Sequence, residues 1–161
     1  MKNTIAIVLL SFFLAAPVLA SAPKEGDPAP GFNLVAISGQ PVSLEQHRGK
    51  VVLVGMFHIC VPCMNQALEF NKIRKAIPED KLVILGINTS GDSKNAVEDY
   101  LGKFPEAVNF PYLLDPKQTV HEAYIQRDMP TVLIIDKDGK LKARSPGVSA
   151  DQLISYIKKL I

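Results

Sequence analysis

Two stretches of the chain are apolar with no polar alternation, Val51 to Met56 and Leu82 to Ile87. Each has the length of a strand, and unbroken apolarity predicts strands covered on both faces. Between them Val61, Met64, Leu68, Phe70, Ile73 and Ile77 recur at helical spacing. That spacing predicts a helix from about Cys60 to Ile77, ended by Pro78-Glu79-Asp80. A strand, a helix and a second strand in this order predict a parallel pair joined by a helical crossover.

The flanking segments extend the pattern. Phe32 to Ile37 and Gln40 to Leu44 surround Ser38-Gly39 and predict a hairpin. Beyond the second core strand, Asp92 or Ser93 supplies a helix cap, and Ala96, Val97, Tyr100, Leu101 and Phe104 form one apolar face. Phe110 to Leu114 reads as a short strand. Asp115 with Pro116 then predicts the start of a helix carrying Val120, Ala123 and Tyr124. Thr131 to Ile135 and Lys140 to Arg144 flank Asp138-Gly139, a second hairpin signal. Ala150 to Ile161 closes the chain as an amphipathic helix with Leu153, Ile154, Ile157 and Leu160 inward. Together these elements predict one α/β domain, a central sheet with helices on both faces.

Composition narrows the function. Across 161 residues, 18 Lys and Arg against 16 Asp and Glu leave a formal charge of +2, which points neither to nucleic acid nor to an anionic membrane surface. Lys72, Arg74 and Lys75 read as the solvated face of a helix. His47 and His121 have no partner pattern and read as surface residues. The first residues, Met1-Lys2-Asn3, are cationic. An apolar run from Ile5 to Ala16 follows, broken by Pro17 and ending in small or medium residues at Val18-Leu19-Ala20. This predicts a signal peptide over residues 1–20 and a mature domain over 21–161, exported to the periplasm or otherwise secreted. No transmembrane segment is expected after cleavage.

The chain has only two cysteines, and both lie in Cys60-Val61-Pro62-Cys63. A bridge across two residues stabilises almost nothing, so the pair is there for chemistry or for metal. A buried strand running into a helix with C-x-x-C in its first turn is a redox arrangement. The helix start offers unpaired N–H groups and the positive end of the dipole, and both favour a thiolate. Cys60 is expected to be exposed and attacking, Cys63 more buried and resolving. Pro62 fits a first helical turn.

The quoted residues also carry a family resemblance. Gly26-Asp27-x-Ala29-Pro30-x-Phe32-x-Leu34, Gly39 before Val42-Ser43-Leu44, Gly49-Lys50-Val51-Val52-Leu53-Val54, the cysteine pair and Met129-Pro130-Thr131 are similar to TlpA/ResA-like thiol–disulfide oxidoreductases. These are secreted bacterial proteins of the redoxin/AhpC-TSA superfamily with a thioredoxin fold. The resemblance implies a mixed sheet with an N-terminal β-hairpin extension and a helical insert after the second core strand. It implies a redox-active Cys60–Cys63 disulfide, no other cofactor, and a cis proline at Pro130 facing the pair. Met129 would then expose backbone for a substrate segment. Protein disulfides are the implied substrates, in cytochrome c maturation or copper-site assembly, with a membrane or periplasmic electron donor.

Three positions depart from the family pattern. Ile59 replaces an aromatic before the first cysteine, Val54 a buried acid, and Gln66 a glutamate three residues after the second cysteine. Gln66 can hydrogen-bond but cannot titrate. Glu69 is the nearest acid, and it reads as a solvated helix residue. His58 could assist Cys60 as an imidazolium, but the plainer reading is a strand-end side chain facing solvent. Two other functions remain open. Cys60, Cys63 and His58 could form a Cu(I)-binding module, although a structural zinc site lacks ligands. A thiol peroxidase of the same fold would have Thr or Ser where Phe57 precedes Cys60 by three residues.

Overall fold

The computed structural model describes residues 21–161, so the expected signal peptide lies outside the described residues. The strands are β1 (Asn33–Ala36), β2 (Pro41–Ser43), β3 (Val51–Phe57), β4 (Leu82–Asn88), β5 (Tyr112–Leu114), β6 (Thr131–Ile135) and β7 (Leu141–Ser145). The helices are α1 (Val61–Ala76), α2 (Lys94–Leu101), α3 (Thr119–Ala123) and α4 (Ala150–Ile157). They build one seven-stranded mixed sheet in the order β2-β1-β5-β4-β3-β6-β7. β3 and β4 are parallel, as the crossover requires, and β6 runs antiparallel to β3. The hairpins β1–β2 and β6–β7 form where the turn residues predict them.

β3 shows why both its faces are apolar. Val51, Leu53 and Phe57 pack with α1, α2 and α4, while Val52, Val54 and Met56 pack with α3 and the β1–β2 hairpin. Gly55 and Gly86 pair across β3 and β4. A Cβ on Gly55 would lie 2.1 Å from the Phe57 ring, and one on Gly86 would lie 2.9 Å from the Tyr112 ring. The two glycines make room for the aromatic layer beneath α1, where Phe57 meets Phe70 at 5.7 Å and Tyr112 at 6.0 Å.

Several boundaries differ from expectation. α1 buries Cys63, Gln66, Ala67, Phe70, Asn71 and Ile73. Val61 is exposed, and Met64 and Leu68 are only half-buried. The helix has turned its small residues, Cys63 and Ala67, to the sheet, which allows close approach. α2 stops at Leu101 and α4 at Ile157, each short of its apolar tail. α3 starts at Thr119 and not at Pro116. Asp115 still serves this helix, because its carboxylate accepts N–H bonds from Thr119 at 2.9 Å and Val120 at 2.8 Å.

Candidate active site

The C-x-x-C pair sits where β3 delivers the chain to α1. Cys60 is the helix N-cap, extended at φ −157° and ψ 157°. Its sulfur accepts the Cys63 N–H at 3.3 Å, the bond a Ser or Asp makes at other caps. Cys60 is half-buried, whereas Cys63 is 1 % exposed. Both are free thiols. Burial pushes the Cys63 thiol up to about 12, and the Cys60 sulfur adds to this. The His58 N–H, donating to the Cys63 sulfur at 3.3 Å, acts in the opposite direction.

Sheet register brings distant residues to the same end. Met56 pairs with Thr131, which sets Pro130 level with Phe57 at the exit of β3. The Met129–Pro130 peptide is cis, and Met129 is 53 % exposed. Val132 pairs with Ser145, which carries the chain after β7 past Pro130. A Cβ on Gly147 would lie 3.5 Å from the Pro130 ring and 3.3 Å from the Gln66 amide oxygen. An open cleft of about 510 Å³ results, lined by Pro62, Gln66, Met129, Pro130, Gly147 and Val148. Another cavity, of about 300 Å³, is lined by His47, Lys50 and Arg74. Lys50 precedes β3, so that cavity is at the far end of the strands from the cysteines.

Gln66 hydrogen-bonds as read in the sequence, whereas Glu69 and His58 differ from expectation. Gln66 is 4 % exposed, with both ends of its amide engaged. It donates to the Val148 carbonyl at 2.9 Å and accepts the Val148 N–H at 2.7 Å, fixing the loop opposite Pro130. Glu69 is neither freely solvated nor aimed at the cysteines. Its carboxylate accepts from Lys72 at 2.5 Å and from the Ala150 N–H at 2.6 Å. Lys72 holds that carboxyl below the usual range; burial opposes it, and the Ala150 N–H, a smaller effect, adds to the lowering. An anion at the N-terminus of α4 is well placed against the helix dipole.

His58 does not face solvent as expected. Its ring is half-buried, 6.3 Å from the His121 ring, and its Nε2 has no partner. Burial, then His121, lower its pKa, so the neutral imidazole is favoured. What reaches the cysteines is its backbone N–H. His121 is half-buried as well, with Nδ1 unpartnered. Among the described residues, no group of three or more His, Cys, Asp or Glu could hold a metal ion.

Two supporting residues carry no local signal in the sequence. Gln126 accepts the Thr89 hydroxyl at 2.6 Å and donates to the carbonyls of Met56 and Asp128, each at 3.2 Å. It thereby ties the end of β3 to the segment before Pro130. Tyr100 donates its hydroxyl to the Cys60 carbonyl at 2.6 Å. The amphipathic pattern places Tyr100 inward, but nothing local to it predicts a cysteine as its partner.

Residues 25–144 match the AhpC/TSA family. The chain is 30% identical over 147 residues to the thiol-disulfide oxidoreductase ResA of Geobacillus thermodenitrificans, covering 87% of this chain and 83% of that protein. It is 27% identical over 160 residues to the sporulation thiol-disulfide oxidoreductase A of Bacillus subtilis, covering 97% of this chain and 96% of that protein. The solved structure of the exposed lipoprotein thioredoxin Etrx1 from Streptococcus pneumoniae superposes with a TM-score of 0.68 at 27% identity, over 81% of this chain and 100% of that one. The fold is therefore thioredoxin-like, and the chain belongs to the AhpC/TSA family, among its thiol–disulfide oxidoreductases of the ResA type.

Proposed function

We propose that this protein reduces protein disulfides in the periplasm or an equivalent exported location, with Cys60 attacking and Cys63 resolving. The Cys60 thiolate attacks one sulfur of a substrate disulfide, the substrate S–S bond breaks, and the leaving sulfur takes up a proton. Cys63 then gives up its proton and attacks Cys60. The Cys60–Cys63 disulfide forms, and the second substrate sulfur leaves and is protonated. Two electrons and two protons have passed to the substrate, and a membrane or periplasmic dithiol donor must restore them.

One observation carries this reading: a half-buried cap sulfur that accepts the N–H of a buried cysteine, whose own thiol burial holds protonated. The exposed thiol can meet a substrate, while the buried one stays inert until a mixed disulfide forms above it. Val61 and Pro62 offer no side-chain donor that would stabilise the reduced form, which supports a reducing role. The apolar leader supports export, and the resemblance supports clients in cytochrome c maturation or copper-site assembly. The cleft beside Pro62 and Pro130 suits an extended client segment, with Met129 supplying backbone. The test is insulin-disulfide reduction by wild type and by Cys60→Ala. Activity is expected to fall to background in the variant, and equal activity rejects the proposal. A reduction potential close to that of strong oxidants would reverse the direction of transfer.

A further inference from the structure

We propose that Tyr100 is a positioning residue for this exchange, its hydroxyl fixing the Cys60 carbonyl and with it the first turn of α1 against the reactive sulfur. The inference rests on Cys60 being the attacking thiol. Tyr100 comes from α2, the insert helix, forty positions away along the chain. Its side chain is 8 % exposed, and its ring meets Phe104 edge-on at 4.9 Å. Packing alone would be served equally well by Phe. The hydroxyl instead makes a short bond, 2.6 Å, to the main chain of the reactive residue.

That carbonyl already accepts the Met64 N–H at 3.0 Å, the first hydrogen bond of the helix. Tyr100 is therefore not needed to satisfy it. A second donor does two further things. It holds the Cys60 peptide in the orientation that lets the Cys63 N–H reach the Cys60 sulfur at 3.3 Å. It also draws negative charge away from the oxygen belonging to the residue where a thiolate must form. The positions that hold acids in related proteins are Val54 and Gln66 here, and neither can ionise. Tyr100 brings a neutral donor to the Cys60 carbonyl instead. Burial raises the pKa of both Tyr100 and Tyr112, and the two cysteines raise each further. Both therefore stay protonated as O–H donors over the working range.

The test is Tyr100→Phe, which keeps the ring and removes the hydroxyl. The alkylation rate of Cys60 by iodoacetamide at pH 7 is expected to fall about three- to tenfold, the range one lost hydrogen bond spans. Its pH profile should move to higher pH, and the reduction potential should become more negative. Val97→Ala, in the same helix, is the packing control, expected to lower stability while leaving profile and potential unchanged. Site-specific 3-fluorotyrosine at position 100, a stronger donor, should speed alkylation, and it provides the test if Tyr100→Phe does not fold. Superimposable profiles and equal potentials in wild type and Tyr100→Phe would overturn the proposal, as would no acceleration with 3-fluorotyrosine. Failure of the exchange reading itself shows separately, as full insulin reduction by Cys60→Ala.

Discussion

On one side of the sheet lie α1, α2 and α4; on the other lie α3 and the lead-in around Ala29 and Phe32. Both sides bury a continuous apolar layer, and they differ in what several of their polar side chains hold. On the α3 side, Asp115 gathers the N–H groups of Thr119 and Val120 and the Thr119 hydroxyl. Tyr124 donates to the Pro30 carbonyl at 2.8 Å, and Arg144 donates to the carbonyls of Tyr124 and Ile125 at 2.6 and 3.0 Å. These bonds fasten a short helix and the lead-in. On the α1 side, Gln66, Glu69 and Tyr100 reach to Val148, Ala150 and Cys60, segments that surround the cysteine pair. One side is scaffold, whereas the other holds a site in place through its helices. Stability and reactivity should therefore separate when each side is altered in turn.

The largest effect is expected at Cys63. Cys63→Ala removes the thiol proposed to resolve, so the Cys60 mixed disulfide should accumulate and turnover should stop; intact-mass spectrometry of a single-turnover mixture reads this directly. If product is released at the normal rate, Cys63 does not resolve. Next comes Asp115→Ala. A buried carboxylate that caps a helix is worth about 2 kcal/mol or more, so urea unfolding should shift by that amount. The exchange rate per folded molecule should stay within about twofold, because no bond on this side reaches the cysteines. A large loss of rate at unchanged stability would break the contrast.

Gln66→Leu is the matching change on the other side. It leaves the Val148 N–H and carbonyl without their partner, at about 1–3 kcal/mol. Exchange should slow as well, since Gln66, Pro130 and Gly147 line the same cleft. A purely structural glutamine would lower stability alone. The last effect concerns pH and is confined to alkaline conditions. The folded pKa of Cys63, about 12, is above its ordinary value of 9.0. The unfolded chain therefore loses that proton first, and the stability tied to the buried neutral thiol is present below about pH 9 and lost as pH rises towards 12. The reduced protein should weaken across that window in chemical unfolding, and Cys63→Ala should flatten the decline. An unchanged decline in the variant would assign it to other groups.

Legibility followed the range of the interactions. The strands β3 and β4, the helix between them and the cap position of Cys60 are set by apolar runs and turn residues within a few positions, and all could be read from the chain. So could the order of burial of the two cysteines, since one turn of helix separates them. The roles of Gln66, Glu69 and His58 could not. Glu69 and His58 suggest titratable chemistry and Gln66 only a hydrogen bond, yet Gln66 and Glu69 bond to backbone groups of another segment and His58 acts through its own N–H. For Gln66 and Glu69 the partners, Val148 and Ala150, are more than eighty positions away. The buried face of α1 also differs from the one the spacing predicts, because Val61 and Leu68 match the helical period as well as Cys63 and Ala67 do. Only the neighbouring sheet favours the smaller pair.

The sequence alone determined a parallel strand–helix–strand core, the two sulfurs at a helix start and the proline ahead of β6, because backbone propensity and side-chain period act locally. Only the tertiary structure decided what surrounds those sulfurs. Strand register set Pro130 and Gly147 beside α1, and the insert helix brought a phenol onto the Cys60 carbonyl. Contacts of that kind depend on how whole elements pack, a collective outcome to which no single stretch of residues points.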